Sequence, residues 1–228
     1  MFKSKYSTVL TVILIIVIIA IIIIATMLSV NAYKEYQDEK ERKKVYATIQ
    51  ENSSTNDSDE GNTINDEMIS IQPVGNTTVQ NTTQGNTTSR PTTKFYKEYP
   101  MIGYIKIQKT NIEYPILLDI SPKALETSVG VMYPGNPTLN EPGNVVIIGH
   151  NYRNGRFFSN NKHLVIGDKI QITDLKGKTL TYTIYEIMTI PDTDTEYITR
   201  NRGSNVEISL STCTDDGKAR LVILARVQ

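Results

Sequence analysis

Between Val9 and Val30 lie 22 residues that are almost all Ile, Val, Leu and Ala, with threonine and serine as the only polar interruptions and no charge. As a helix rising about 1.5 Å per residue, such a run crosses a hydrocarbon core of about 30 Å. A soluble domain has no place for it, so it removes itself from any globular core. The competing reading is a cleaved leader, for which the run is too long, although Val30-Asn31-Ala32 would pass as a small-residue cleavage site. An uncleaved anchor over residues 9–30, behind a short tail of residues 1–8, is the preferred reading.

Which way the anchor points is left open by the charges. Lys3 and Lys5 precede the span, whereas Lys34, Lys40, Arg42, Lys43 and Lys44 follow it. The positive-inside count therefore places the C-terminal side in the cytoplasm. Against it stands the habit of short tails before long apolar anchors to stay inside, while the interleaved Glu35, Asp38, Glu39 and Glu41 weigh little.

Two segments of different character follow. Residues 31–50 are charged and lack Gly and Pro; four-residue spacings such as Glu35/Glu39 and Lys40/Lys44 fit a helix, but a solvated stalk is the simpler expectation. Residues 51–94 are dominated by Asn, Thr, Ser, Asp and Gly, too polar to offset the chain entropy that folding costs, which predicts a disordered linker. Asn76, Asn81 and Asn86 each begin an Asn-X-Thr acceptor pattern there, a match that low-complexity repeats also reach by chance. As a flexible coil the linker would reach about 35–40 Å.

Residues 95–228 have the composition of one ordinary folded domain. The whole chain carries 24 basic and 24 acidic side chains, so no net charge draws it to nucleic acid. Its single cysteine, Cys213, excludes an internal disulfide, and with only His150 and His163 no zinc-site spacing exists. Strands are expected at residues 103–108, 112–118, 144–150, 169–173, 179–190, 206–213 and 221–227, with a short helix begun by Ser121-Pro122. Pro134-Gly135-Asn136-Pro137 and Asp174-Leu175-Lys176-Gly177 mark turns. About eight strands with hardly any helix predict an all-β fold, a closed or nearly closed barrel of mixed pairing. The apolar run 144–150 suits a strand buried on both faces. In 206–211, Val206, Ile208 and Leu210 alternate with Glu207, Ser209 and Ser211, the pattern of a half-buried strand.

Cys213 falls at the end of that alternating strand, and Thr214-Asp215-Asp216-Gly217-Lys218 turns the chain into the next one. Arg220 then faces Cys213 across the hairpin mouth. A fixed positive charge beside a thiol favours the thiolate, the form that acts as nucleophile. Free cysteine is also a common small core residue, so this pair alone leaves both readings open. His150 likewise ends an apolar strand where a loop begins, and would meet the thiol if the two strands are neighbours. His163, among Asn160, Asn161 and Lys162, reads as a surface residue.

Leu210-Ser211-Thr212-Cys213, with an arginine opening the following strand and Ile148-Gly149-His150 earlier, resembles the sortases, membrane-anchored cysteine transpeptidases of Gram-positive bacteria. The resemblance runs from about Ile102 to Gln228 and takes in Gly103-Tyr104-Ile105-Lys106-Ile107 and Asn111-Ile112-Glu113-Tyr114-Pro115-Ile116. It implies an eight-stranded sortase β-barrel with short helices. It also implies Cys213 as nucleophile, His150 as the family's histidine and Arg220 as its arginine, with Arg226 a rival that does not fit the motif. The implied reaction is cleavage of a Leu-Pro-Xaa-Thr-Gly-like sorting signal between Thr and Gly, then transfer of the acyl group to a cell-wall amine.

The loop of residues 191–205 stands where the family's specificity loop lies, so Thr195, Tyr197 and Ile198, with Thr212, are expected to contact substrate. No cofactor is implied, although Glu141, Asp192, Asp194 and Glu196 are candidates for a calcium site of the kind some class A members have. The implied partners are surface proteins bearing the sorting signal and a peptidoglycan precursor or cross-bridge amine, with the domain outside the cell membrane and the N-terminus inside. The subclass stays open. A peptidase that only hydrolyses, and a tethered binding domain in which Cys213 is structural, are the alternatives.

Overall fold

The computed structural model describes residues 5–55, 94–132, 138–200 and 203–228. The chain divides into two compact units, Met1–Ala47 and Thr48–Gln228. Most of the expected linker, with its Asn-X-Thr acceptors, and the Pro134-Gly135-Asn136-Pro137 turn lie outside the described residues.

The first unit is built on helix α1 (Lys5–Thr55). It is the one helix among the described residues long and apolar enough to cross a membrane. Side chains such as Ile16 and Leu28 stand exposed, as lipid contact requires. The stalk expected after Val30 is instead more of the same helix, which continues into the first residues of the expected linker. No Gly or Pro interrupts it, Glu39 and Lys43 pair at 2.6 Å one turn apart, and extending a helix that already exists avoids the cost of nucleation.

Among the described residues of the second unit nine strands form one sheet: β1 (Lys94–Tyr96), β2 (Tyr99–Ile107), β3 (Ile112–Leu117), β4 (Val129–Met132), β5 (Gly143–Ile148), β6 (Lys169–Asp174), β7 (Thr179–Pro191), β8 (Val206–Cys213) and β9 (Ala219–Val227). Their order is β1-β2-β3-β4-β5-β8-β9-β7-β6, and β2 also pairs with β6. That last pairing, from Gly103 opposite Asp174 to Lys106 opposite Gln171, closes β2–β9 into the eight-stranded barrel expected from the sequence. β1 is an added hairpin on β2. The pairings β3–β4 and β5–β8 are parallel, the others antiparallel.

Closure needs a residue without a side chain, since a Cβ at Gly103 would sit 2.4 Å from both Leu139 Cδ1 and the Thr173 carbonyl. Local signals set the turns. Ser121 Oγ accepts from the Ala124 amide to cap α2 (Pro122–Leu125). Asp174 Oδ1 accepts from the amides of Lys176 and Lys178, and Gly177 takes a positive φ of 87°.

The barrel is filled by Ile105, Ile116, Ile147, Ile172, Ile208, Leu210 and Ile223 among others. A second apolar cluster, Val146, Tyr197, Val222 and Leu224, lies on the outer face of β5 and β9. This second layer reverses an expectation. β8 is buried on both faces, with Glu207, Ser209 and Ser211 all 3% exposed or less, because the β7–β8 loop covers its polar side. β5, read as fully buried, leaves Val145 and Ile148 only partly so.

Candidate active site

The parallel register of β5 and β8 ends with Ile148 beside Ser211. Two hydrogen bonds carry the alignment further: the Gly149 amide donates to the Ser211 carbonyl at 3.2 Å, and Thr212 Oγ1 donates to the Gly149 carbonyl at 2.7 Å. His150 and Cys213 therefore each stand two residues beyond a matched pair, at one rim of the barrel. On the other side of β8, Cys213 lies directly opposite Arg220 of β9. Alternation assigns the face. Ile147, Leu210 and Ile223 point into the barrel, whereas Ile148, Val222 and Leu224 belong to the outer cluster; Cys213, Arg220 and His150 share the outer parity. Gly149 keeps this rim tight, since a Cβ there would meet Phe158 and Val129 at 2.9 Å.

Arg220 Nη1 is 3.0 Å from Cys213 Sγ and donates to it, with the thiol half-buried. A guanidinium with one N–H held on sulfur keeps its remaining donors for a developing oxyanion. The imidazole of His150 is stacked on Tyr152 at 4.8 Å and 20°, and Tyr152 meets Phe157 edge-on at 5.7 Å. Burial pushes His150 below the usual histidine range, while the negative charge of Glu126 partly offsets this. The site thus holds a thiol under a fixed cation beside an imidazole biased toward neutral. Behind Cys213 is a cavity of about 210 Å³ lined by Asn151, Phe158, Lys162, Thr212 and Leu221 among others.

The β7–β8 loop is fastened to the outer face beside this rim. Tyr197 is 6% exposed; its hydroxyl meets Ser211 Oγ at 3.1 Å, and its carbonyl accepts from Asn144 Nδ2 at 3.0 Å. Asn144 Oδ1 in turn accepts from Ser209 Oγ at 2.8 Å. Nearer the loop's end, Arg200 Nη2 lies 2.9 Å from Glu207 Oε2, which also accepts from the Tyr185 hydroxyl at 2.8 Å.

The residues expected to contact substrate are thereby separated. Tyr197 is a buried fastening of the loop, Ile198 packs partly buried on the outer cluster, and Thr195 is exposed with its carbonyl accepting from the Ile198 amide. Thr212 is 2% exposed and spends its hydroxyl on Gly149. The rival arginine, Arg226, sits over the Tyr185 ring at 5.1 Å, and His163 is a surface residue. Of the calcium candidates, Glu141 is 3.7 Å from Lys178, and Asp194 Oδ1 is taken by the Glu196 amide. Among the described residues no group of three or more His, Cys, Asp or Glu could hold a metal ion. Asn151, Tyr152 and Glu126 were not foreseen. The first two adjoin His150 in sequence, which was the available signal; Glu126 had none.

Comparison with known proteins agrees with the geometry. The sortase-domain family model matches residues 105–228. Sortase A from Corynebacterium diphtheriae, a lid mutant, superposes with a TM-score of 0.52 at 27% identity over 57% of this chain and 71% of that one. A sortase D5 transpeptidase from Clostridium perfringens gives 0.50 at 29%, over 56% and 79%. Sortase C1 from Streptococcus agalactiae gives 0.51 at 28%, over 56% and 68%. Comparison with curated proteins finds no match. The three structures carry three different class letters, so the likeness assigns a family and no class. With more than half of the chain matched, over the same strands that carry Cys213, Arg220 and His150 to one rim, this protein belongs to the sortase family.

Proposed function

We propose that this chain is a membrane-anchored transpeptidase in which Cys213, His150 and Arg220 act on a Leu-Pro-Xaa-Thr-Gly-like sorting signal. The observation that carries the reading is the 3.0 Å contact from Arg220 Nη1 to Cys213 Sγ, at the rim that also bears His150.

In the first half-reaction the Cys213 thiolate adds to the carbonyl carbon of the scissile Thr–Gly bond. Arg220 donates to the oxyanion that forms there. The C–N bond breaks as His150, as imidazolium, gives its proton to the departing amine. The acyl group is left on sulfur as a thioester. In the second half-reaction an incoming amine of the cell wall attacks the thioester and gives a proton to His150, and the C–S bond breaks to return the thiolate. The thioester keeps the acyl group activated, which lets an amine capture it in preference to slow hydrolysis. The partly buried margin of the outer cluster, which includes Met132, Ile148, Ile190 and Ile198, is suited to the aliphatic side chains of an extended peptide that reaches Cys213.

Facing a wall amine requires the domain outside the cell and residues 1–8 inside. This runs against the count of basic residues flanking the span, and the reading rests on the site rather than on that count.

The test is turnover of a fluorogenic Leu-Pro-Xaa-Thr-Gly peptide by the full-length chain in detergent, with and without triglycine. A peptide–triglycine product and an acyl adduct on Cys213 by mass spectrometry are expected. No cleavage and no adduct across a panel of such peptides sinks the proposal, and cleavage indifferent to triglycine reduces it to a hydrolase.

A further inference from the structure

The β8–β9 turn that follows Cys213 is not free to set its own position. Asn151, the residue after His150, donates through Nδ2 to the Cys213 carbonyl at 3.0 Å and to Asp215 Oδ1 at 2.9 Å. Its own Oδ1 accepts from the Arg153 amide at 3.1 Å. Arg153, at a positive φ of 58°, sends Nη1 to the Asp215 carbonyl at 3.1 Å, and Lys162 Nζ holds Asp215 Oδ2 at 2.8 Å. Asn151 and Phe157 form an isolated β-bridge, so the Asn151 backbone is fixed from its own loop as well.

We infer that Asn151 is a positioning residue, whose amide clasps the cysteine hairpin to the histidine loop and so sets where Cys213 and Arg220 stand relative to His150. This rests on the transpeptidase reading for its consequence in turnover, though not for its consequence in thiol reactivity. Beyond Thr212 and Ser211 the backbone pairing of β5 with β8 has ended, and the two chains diverge into separate loops. Past that point the side chain of Asn151 is what joins them at the level of the reacting atoms. It binds the carbonyl of the nucleophile's own peptide unit, so a change in it rotates the unit that carries the thiol. Asp215 makes the joint two-point, and Lys162 and Arg153 hold Asp215 in place. Geometry held this way acts on the barrier more than on binding.

Three variants of the full-length protein in detergent separate this from a structural role. N151D is nearly isosteric but cannot donate, and it sets a carboxylate against the Cys213 carbonyl and Asp215. D215N alone leaves an acceptor for Asn151. The swapped pair N151D/D215N restores a donor and an acceptor between the two positions with their direction reversed, and still leaves the Cys213 carbonyl without its donor. We expect kcat to fall about 10²-fold in N151D with KM within twofold. We expect D215N to stay within threefold of wild type, and the swapped pair to stay within threefold of N151D. Alkylation of Cys213 by iodoacetamide at fixed pH is expected to follow the same order, slow in N151D and in the swapped pair and near wild type in D215N. The inference is overturned if N151D keeps kcat within twofold, if its loss lies in KM, or if the swap restores wild-type kcat. Should the wild type turn over no peptide, the transpeptidase reading falls, and the order of the alkylation rates still decides the clasp.

Discussion

His150 is where two opposed influences on one imidazole meet. Burial disfavours its charged form and the Glu126 carboxylate favours it, with burial the larger. In the proposed mechanism His150 must be protonated to release the first amine. Removing Glu126 takes away support for the imidazolium and lowers the His150 pKa further. Glu126→Gln is therefore expected to move the titration of the His150 ring protons, followed by NMR, to lower pH, and the difference should shrink in high salt, since Glu126 is exposed. A midpoint that stays put would remove Glu126 from the account. At Arg220, alanine is expected to cost about 10²–10³ in kcat. Lysine should restore only part of this, because it keeps the charge and loses the fork that reaches sulfur and oxyanion together. Cys213 opposite Arg220 could be read from the sequence because a hairpin's register is counted locally through its turn. Glu126 could not, since its distance from His150 is set by β4 and α2, far along the chain.

Among the elements, the β7–β8 loop shows how a polar strand face becomes buried. Ser209 and Ser211 alternate with apolar residues as they would on a solvated edge, yet Asn144 and Tyr197 cover them. No periodicity in β8 announces what another segment will lay over it. Tyr197→Phe removes one hydrogen bond and should cost about 1 kcal/mol by chemical denaturation. Arg200→Ala takes from Glu207, 3% exposed, the guanidinium that lies 2.9 Å from its Oε2. A loss of about 3 kcal/mol is expected, together with a raised KM as the loop loosens. A stability within 0.5 kcal/mol of wild type, about the scatter of surface substitutions, would mean the pair does not hold the loop. β4, with four residues, was too short for an alternation to register, and only its place between β3 and β5 makes it visible. In α1 the charged residues beyond Val30 keep the four-residue spacing of a helix, and the helix runs on through them where a solvated stalk is the simpler expectation.

For the whole molecule, the anchor and the barrel make separate predictions. Deleting residues 9–30 should release the protein from the membrane fraction and leave turnover of a soluble peptide unchanged. Labelling of Cys213 by a membrane-impermeant maleimide in intact cells should equal labelling after lysis if the barrel faces outward. Protection until lysis would reverse the orientation. The closed barrel was legible from the number and length of the strands; its order was not, because β5 beside β8 places 148 next to 211 across two intervening strands.

That parallel pairing also governs when the thiol becomes competent. His150 is made some sixty residues before Cys213, and the strands that bring the two together, β5 and β8, are separated in sequence by β6 and β7, which lie on the far side of β9. Contacts of such long range form late in folding. On the proposed function, a chain in which β5 and β8 have not yet paired carries a cysteine with no histidine beside it and is not acylated by peptide. In refolding followed by quenched acylation, adduct on Cys213 should appear no earlier than the protection of β6 amides that marks closure of β2 on β6; an earlier adduct would show the chemistry running ahead of the fold.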